Sequence, residues 1–161
     1  MNILSLLIFS PLLFGVIILV LPSSLRAGFK YIALLATLVQ FAISIFIYLH
    51  FQTGANYAGV SNESQFQFVQ KLPWIGLDLG SGFGKMQIDY FVGLDGISVM
   101  LLLMTSVVMV IAALASWEIK SNLKGYFCLF LLLNTAVLGV FCALDFFLFY
   151  IFYELMLLPL Y

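Results

Sequence analysis

The sequence predicts an all-α fold, a polytopic bundle of transmembrane helices with about five spans. Three observations carry this prediction: 65% of the 161 residues are hydrophobic, 8% are charged, and the charges fall between long runs that hold none. Ordinary soluble domains are roughly 45–50% apolar and about 25% charged, so this chain lacks the polar groups to cover a water-exposed surface. Six Lys+Arg against seven Asp+Glu give a formal charge of −1. That balance excludes a basic nucleic-acid binder and an acidic disordered tail, and leaves the lipid bilayer as the first partner.

The first span is expected at about 3–21, within the uncharged run Met1 to Leu25. It lacks the basic start of a signal peptide, because Arg26 and Lys30 follow it instead of preceding it. It therefore reads as a retained helix, with Pro11 bending its middle. The second span is expected at about 31–50, the third at about 94–116 and the fourth at about 125–144. Each reaches or approaches the ~20 residues that cross a ~30 Å hydrocarbon core. The fifth, 146–161, is interrupted only by Glu154 and has no polar flank to close it. At 1.5 Å per residue it covers about 24 Å, so it reads as cut off, and the chain as the N-terminal part of a longer membrane domain.

The outward loop, about 51–92, is the polar region. Its Gly, Asn, Ser and Gln content suggests irregular or short β structure, with turns near Pro73-Trp74 and from Gly80 to Gly84. Its glycines fit no phosphate-binding pattern: no GxGxxG is present, and Leu79 stands where a P-loop ending in Gly84-Lys85 needs its first glycine. Asn62-Glu63-Ser64 matches a glycosylation sequon, a frequent chance hit. Arg26, Lys30, Lys120 and Lys124 lie in the two short connections, whereas the long loop holds only Lys71 and Lys85. The excess of basic residues directs the short loops to the cytoplasm and the N-terminus outward. Trp74 and Trp117 are expected at the interfaces, where indole rings are favoured. The cysteines, Cys128 and Cys142, lie about 21 Å apart on one helix, too far for a disulfide, and read as apolar filler.

Glu154 is the most informative residue. Nine positions into the fifth helix from Asp145, it lies about 13.5 Å deep, near the bilayer midplane. An acidic residue there is costly to insert, and it usually faces a bundle interior and marks an ion or proton path. Burial favours the neutral acid and a nearby ammonium favours the carboxylate, so a carboxyl poised between them can load and release a proton. Tyr150, at i−4, is placed to hydrogen-bond that carboxyl. Pro159 frees the Leu155 carbonyl beside it. Asp145 has a sufficient structural reason as the N-cap of the helix and is a secondary candidate for proton transfer. Asn134, Thr135, Thr105 and Ser106 lie mid-span, where amides and hydroxyls mostly bond neighbouring helices. Asp95 reads as a cap, Met100, Met104 and Met109 as filler, and no metal-ligand pattern is present.

Three stretches together resemble one family: Val92 to Ser98 (VGLDGIS), Ser116-Trp117 followed by Lys120, and Leu144 to Tyr161 (LDFFLFYIFYELMLLPLY). They are similar to subunit M of the proton-pumping NADH:quinone oxidoreductase, respiratory complex I, the counterpart of mitochondrial NADH dehydrogenase subunit four. Tyr153 stands where the family commonly has Trp, and Phe146-Phe147 replace the usual leucines. The resemblance implies an antiporter-like bundle of inverted repeats, of which this chain holds only the beginning. It also implies that Glu154 matches the family's essential glutamate, paired with a lysine on a later helix beyond Tyr161. NADH, FMN, the iron–sulfur clusters and quinone are expected on other subunits, and no cofactor on this chain. The expected partners are the neighbouring antiporter-like subunits, in an energy-transducing membrane such as the bacterial inner membrane. Two rivals remain: a subunit of a cation/proton antiporter, and a structural membrane scaffold with a static Glu154.

Overall fold

The computed structural model describes residues 3–22, 26–51, 66–78, 85–119 and 122–160. Five helices and one β-hairpin build the described part: α1 (Ile3–Val20), α2 (Arg26–His50), β1 (Gln67–Asp78), β2 (Lys85–Leu94), α3 (Gly96–Ala115), α4 (Leu123–Cys142) and α5 (Phe146–Leu157). Short 3₁₀ turns follow α3 at Ser116–Glu118 and α5 at Leu158–Leu160. Helices α1 to α4 are each long and apolar enough to cross a membrane. α5 is shorter, and it passes into the 3₁₀ turn at Pro159, which cannot supply an N–H to a continuing helix.

Leu4, Leu7, Ile8, Gly15 and Ile18 of α1 are buried at helical spacing. Leu13, Ile17 and Val20 on the other side are exposed. A helix apolar on both faces packs against protein on one and suits hydrocarbon on the other. α1 runs through Pro11 without interruption. It lies mainly against α4, and α2 against α3. Two apolar clusters fill the bundle, one at each end. Leu7, Ile47, Val92, Leu102, Leu138 and Phe152 belong to the cluster beside the hairpin. Ile18, Phe29, Ala33, Phe127 and Leu131 belong to the other.

The short connections share the end of the bundle opposite the hairpin. There Lys30 Nζ donates to the Trp117 carbonyl at 2.5 Å and Lys124 Nζ to the Leu21 carbonyl at 2.9 Å. The Tyr31 ring meets Trp117 edge-on at 5.2 Å. α2 begins at Arg26, five residues before its expected start. Lys120, expected beside Lys124, lies outside the described residues.

The polar loop differs most from expectation. β1 and β2 pair antiparallel from Gln67↔Leu94 to Asp78↔Lys85. Pro73-Trp74 is not a turn but part of β1, at a register shift between Pro73 and Ile75. In a two-stranded sheet each strand is an edge, and a bulge spares the missing proline N–H from the ladder. The stretch Gly80 to Gly84 and the sequon at Asn62 lie outside the described residues. Ser5 of α1 ties the hairpin down, hydrogen-bonded to Gln70 Oε1 and to the Tyr90 hydroxyl at 3.1 Å.

Candidate functional site

The start of α5 is held by the hairpin. After α4 ends at Cys142, Ala143 bridges Val92 of β2, and Leu144 N donates to the Phe91 carbonyl at 2.9 Å. This connection runs so close to β2 that a Cβ on Gly93 would stand 2.7 Å from Leu144 Cδ1. Asp145 then caps the helix: its Oδ1 accepts from Phe147 N at 2.9 Å and Leu148 N at 3.1 Å. Asp95, at the end of β2, caps α3 in the same way, accepting from Ser98 N at 2.6 Å. Both acids stand where the unpaired N–H groups of a helix start need acceptors.

From this fixed start α5 turns one face to the bundle. Leu148 is 3% and Phe152 5% exposed, and both join the apolar cluster beside the hairpin. Glu154 is two residues past Phe152, about 200° around the helix, so it points the other way and is exposed. Within this stretch of chain Leu148 and Phe152 occupy the face of α5 that packs on α1–α4, and Glu154 lies on the other face. Tyr150 shares the outer face, 51% exposed, one helical turn before Glu154. Phe147, Tyr150, Ile151, Glu154, Leu155 and Leu158 line one open depression, all of them from α5 and the turn after it. The site is thus a carboxyl and a phenol set in an apolar surface about 13.5 Å from the capped end.

No cation pairs with Glu154 among the described residues. Lys30 and Lys124 donate to backbone carbonyls, and Lys71 meets Asp89 of the hairpin at 3.4 Å. Asp145 is on the capped end and does not meet Glu154, so the two acids of α5 do not form one site. Among the described residues no group of three or more His, Cys, Asp or Glu comes together to hold a metal ion. Cys128 and Cys142 are free thiols on α4.

A second polar feature lies inside the bundle. Asn134 of α4 and Gln40 of α2 are both fully buried, and Asn134 Nδ2 donates to Gln40 Oε1. Asn134 thus bonds a neighbouring helix as expected. Thr135 and Ser106 instead donate to carbonyls of their own helices, Leu131 at 3.1 Å and Leu103 at 2.7 Å. Gln40 escapes notice in the sequence, where it stands alone in an apolar run. Its signal is its depth, some 21 Å into α2, where an amide must find a partner.

No family model matches the chain. The curated relatives are consistent with one another. NADH-ubiquinone oxidoreductase chain 4 of Arabidopsis thaliana is 32% identical over 96% of this chain and 28% of its own length. F(420)H(2) dehydrogenase subunit M of Methanosarcina mazei is 35% identical over 98% of this chain and 28% of its own. NADH-quinone oxidoreductase subunit M of Rhodobacter capsulatus is 31% identical over 99% and 28%. The chain thus spans little more than a quarter of the relatives it matches. A chain of the respiratory complex I from Thermus thermophilus with bound NADH shares the fold, with a TM-score of 0.66 at 24% identity over 97% of this chain and 27% of that one. These relatives favour a dehydrogenase subunit over a separate cation/proton antiporter. Over nearly its whole length the chain is thus similar to part of subunit M, or chain 4, of these dehydrogenases, in support of an antiporter-like membrane subunit of complex I.

Proposed function

We propose that this chain moves protons as part of a membrane subunit of a redox-driven dehydrogenase complex, with Glu154 as the carboxyl that takes up and gives up the proton. The observation that carries this reading is the placement of Glu154: an acid in mid-helix, between apolar neighbours, one turn from Tyr150 and with no cation paired to it among the described residues. An ionisable group at that depth is costly to insert and typically marks a proton path. Tyr150 can donate to the carboxylate, and its hydroxyl oxygen can accept from the protonated acid, so it can hold the group in both states. A lysine on another helix, as the resemblance implies, is the cation that would pair with Glu154. Asp145 serves as a cap. Electron transfer, with NADH, FMN, iron–sulfur clusters and quinone, takes place on other subunits, with which this chain assembles. The N-terminus and hairpin face outward and the Lys30–Lys124 end faces the cytoplasm of a bacterial cell, following the bias of basic residues.

The test is Glu154→Gln in the full complex, with proton uptake into inverted membrane vesicles followed during NADH oxidation. The amide is nearly isosteric and easier to bury than an ion, so the complex should assemble and pumping should be lost. An assembled Glu154→Gln complex that pumps as wild type refutes the proposal.

A further inference from the structure

We propose that Gly139 is a positioning residue for Glu154: by lacking a side chain it seats the Phe152 ring on α4 and so fixes the direction in which α5 turns its carboxyl. The inference rests on the reading of Glu154 as the proton-carrying group. A Cβ built on Gly139 would stand 2.6 Å from Phe152 Cδ2, with Cγ and Cδ1 nearer still. Those three atoms are the base of the ring, tied to the α5 backbone through one Cβ, so they cannot swing aside as the tip of a long side chain would. Phe152 is 5% exposed, and the ring is enclosed on its other sides. A methyl group at position 139 must therefore push α5 outward or roll it about its axis.

Either movement is felt most at Glu154. The N-terminal end of α5 is pinned by the Leu144 hydrogen bond to Phe91 and by the Asp145 cap. Displacement at the depth of Phe152 is then taken up below the pin, where Tyr150 and Glu154 lie on the opposite face. Roughly 200° separate Phe152 from each of them, so a roll that frees the ring swings both back toward α4 on one side or the other. The contact sets the azimuth of the carboxyl without touching it.

Gly139→Ala, Phe152→Ala and the double variant, each in the full complex, test this. The readout is protons moved per NADH oxidised, alongside the amount of assembled complex. Alanine is the better helix former, so damage from Gly139→Ala cannot come from a weakened α4. Gly139→Ala should lower the proton ratio roughly tenfold, within the roughly 100-fold that a 1 Å misplacement of a reacting group can cost. The double variant removes the clash along with the ring, so it should move more protons than Gly139→Ala and match Phe152→Ala, in which position 139 no longer matters. If Gly139→Ala impairs assembly, the double variant should restore it. A double variant no better than Gly139→Ala overturns the proposal, as does a wild-type ratio in Gly139→Ala while Glu154→Gln has none. Normal pumping by Glu154→Gln refutes the carboxyl reading itself, and the positioning role with it.

Discussion

The buried amides of Gln40 and Asn134 give the sharpest energetic prediction. In the native pair Asn134 Nδ2 is satisfied, whereas Gln40 Nε2, Asn134 Oδ1 and the nearby Ser44 Oγ find no protein partner among the described residues. Gln40→Leu leaves the whole Asn134 amide alone in an apolar interior, and Asn134→Leu does the same to Gln40. Each single change orphans one further polar atom, which costs about 1–3 kcal/mol when a buried group loses its partner. The double change removes every polar atom of the pair, and apolar replacement of both partners is nearly neutral or stabilising. Hydrogen bonds between membrane helices average only about 0.6 kcal/mol, with a maximum near 1.7, so little is lost when both amides go. The double variant should therefore be more stable than either single one. Reversible unfolding of the full-length subunit in mixed micelles, run as a double-mutant cycle, reads this directly. Effects that add to within roughly 0.5 kcal/mol would mean that the two side chains act independently, and the argument fails.

Three further predictions concern the hairpin end of the bundle and the orientation of the chain. Asp145→Asn should keep the cap of α5 and most pumping, whereas Asp145→Leu should cost about 1 kcal/mol and lower the amount of assembled complex; a loss in Asp145→Asn as deep as in Glu154→Gln would place Asp145 on the proton path. Burial holds the Tyr90 phenol neutral and its pKa above the ordinary 10.0, partly offset by the Ser5 hydrogen bond. The hairpin should therefore stay pinned to α1 below that pH and loosen as the pH rises past it, and Tyr90→Phe should abolish this alkaline slope in protease susceptibility of the loop. In a background without Cys128, a cysteine at Leu72 should react with an impermeant thiol reagent from outside the cell and one at Asn122 only from the cytoplasmic side; the reverse pattern would invert the orientation.

The helices were legible because hydrocarbon imposes a length and a composition that few other structures share. Their caps were legible too, since Asp95 and Asp145 each stand between a polar segment and an apolar run. The hairpin was not. Its strands carry Pro73 and several glycines, residues that mark turns in soluble proteins, and only its pairing shows that a bulge accommodates the proline. Gln40 was missed because one amide does not alter the hydropathy of a span. Its meaning emerges only when α2 and α4 bring it against Asn134. For Glu154 the depth was readable by counting from Asp145, but the direction was not. Direction depends on which face of α5 has a partner, and that is decided by a glycine on another helix.

Two independent coordinates of one carboxyl are thus set by different physics. Depth comes from the polar end of the bundle: β2 passes directly into the cap of α3, and it also holds Leu144, so that α5 must begin at Asp145. Nine residues of helix then carry Glu154 inward, whatever the lipid around it does. Azimuth comes from the apolar interior, where Leu148 and Phe152 find cover only against the bundle. Both anchors lie on the side of α5 opposite the acid, and neither needs a polar group near it. Among the described residues the depression at Glu154 is lined by Phe147, Tyr150, Ile151, Leu155 and Leu158, so Tyr150 is the one polar side chain beside the acid there.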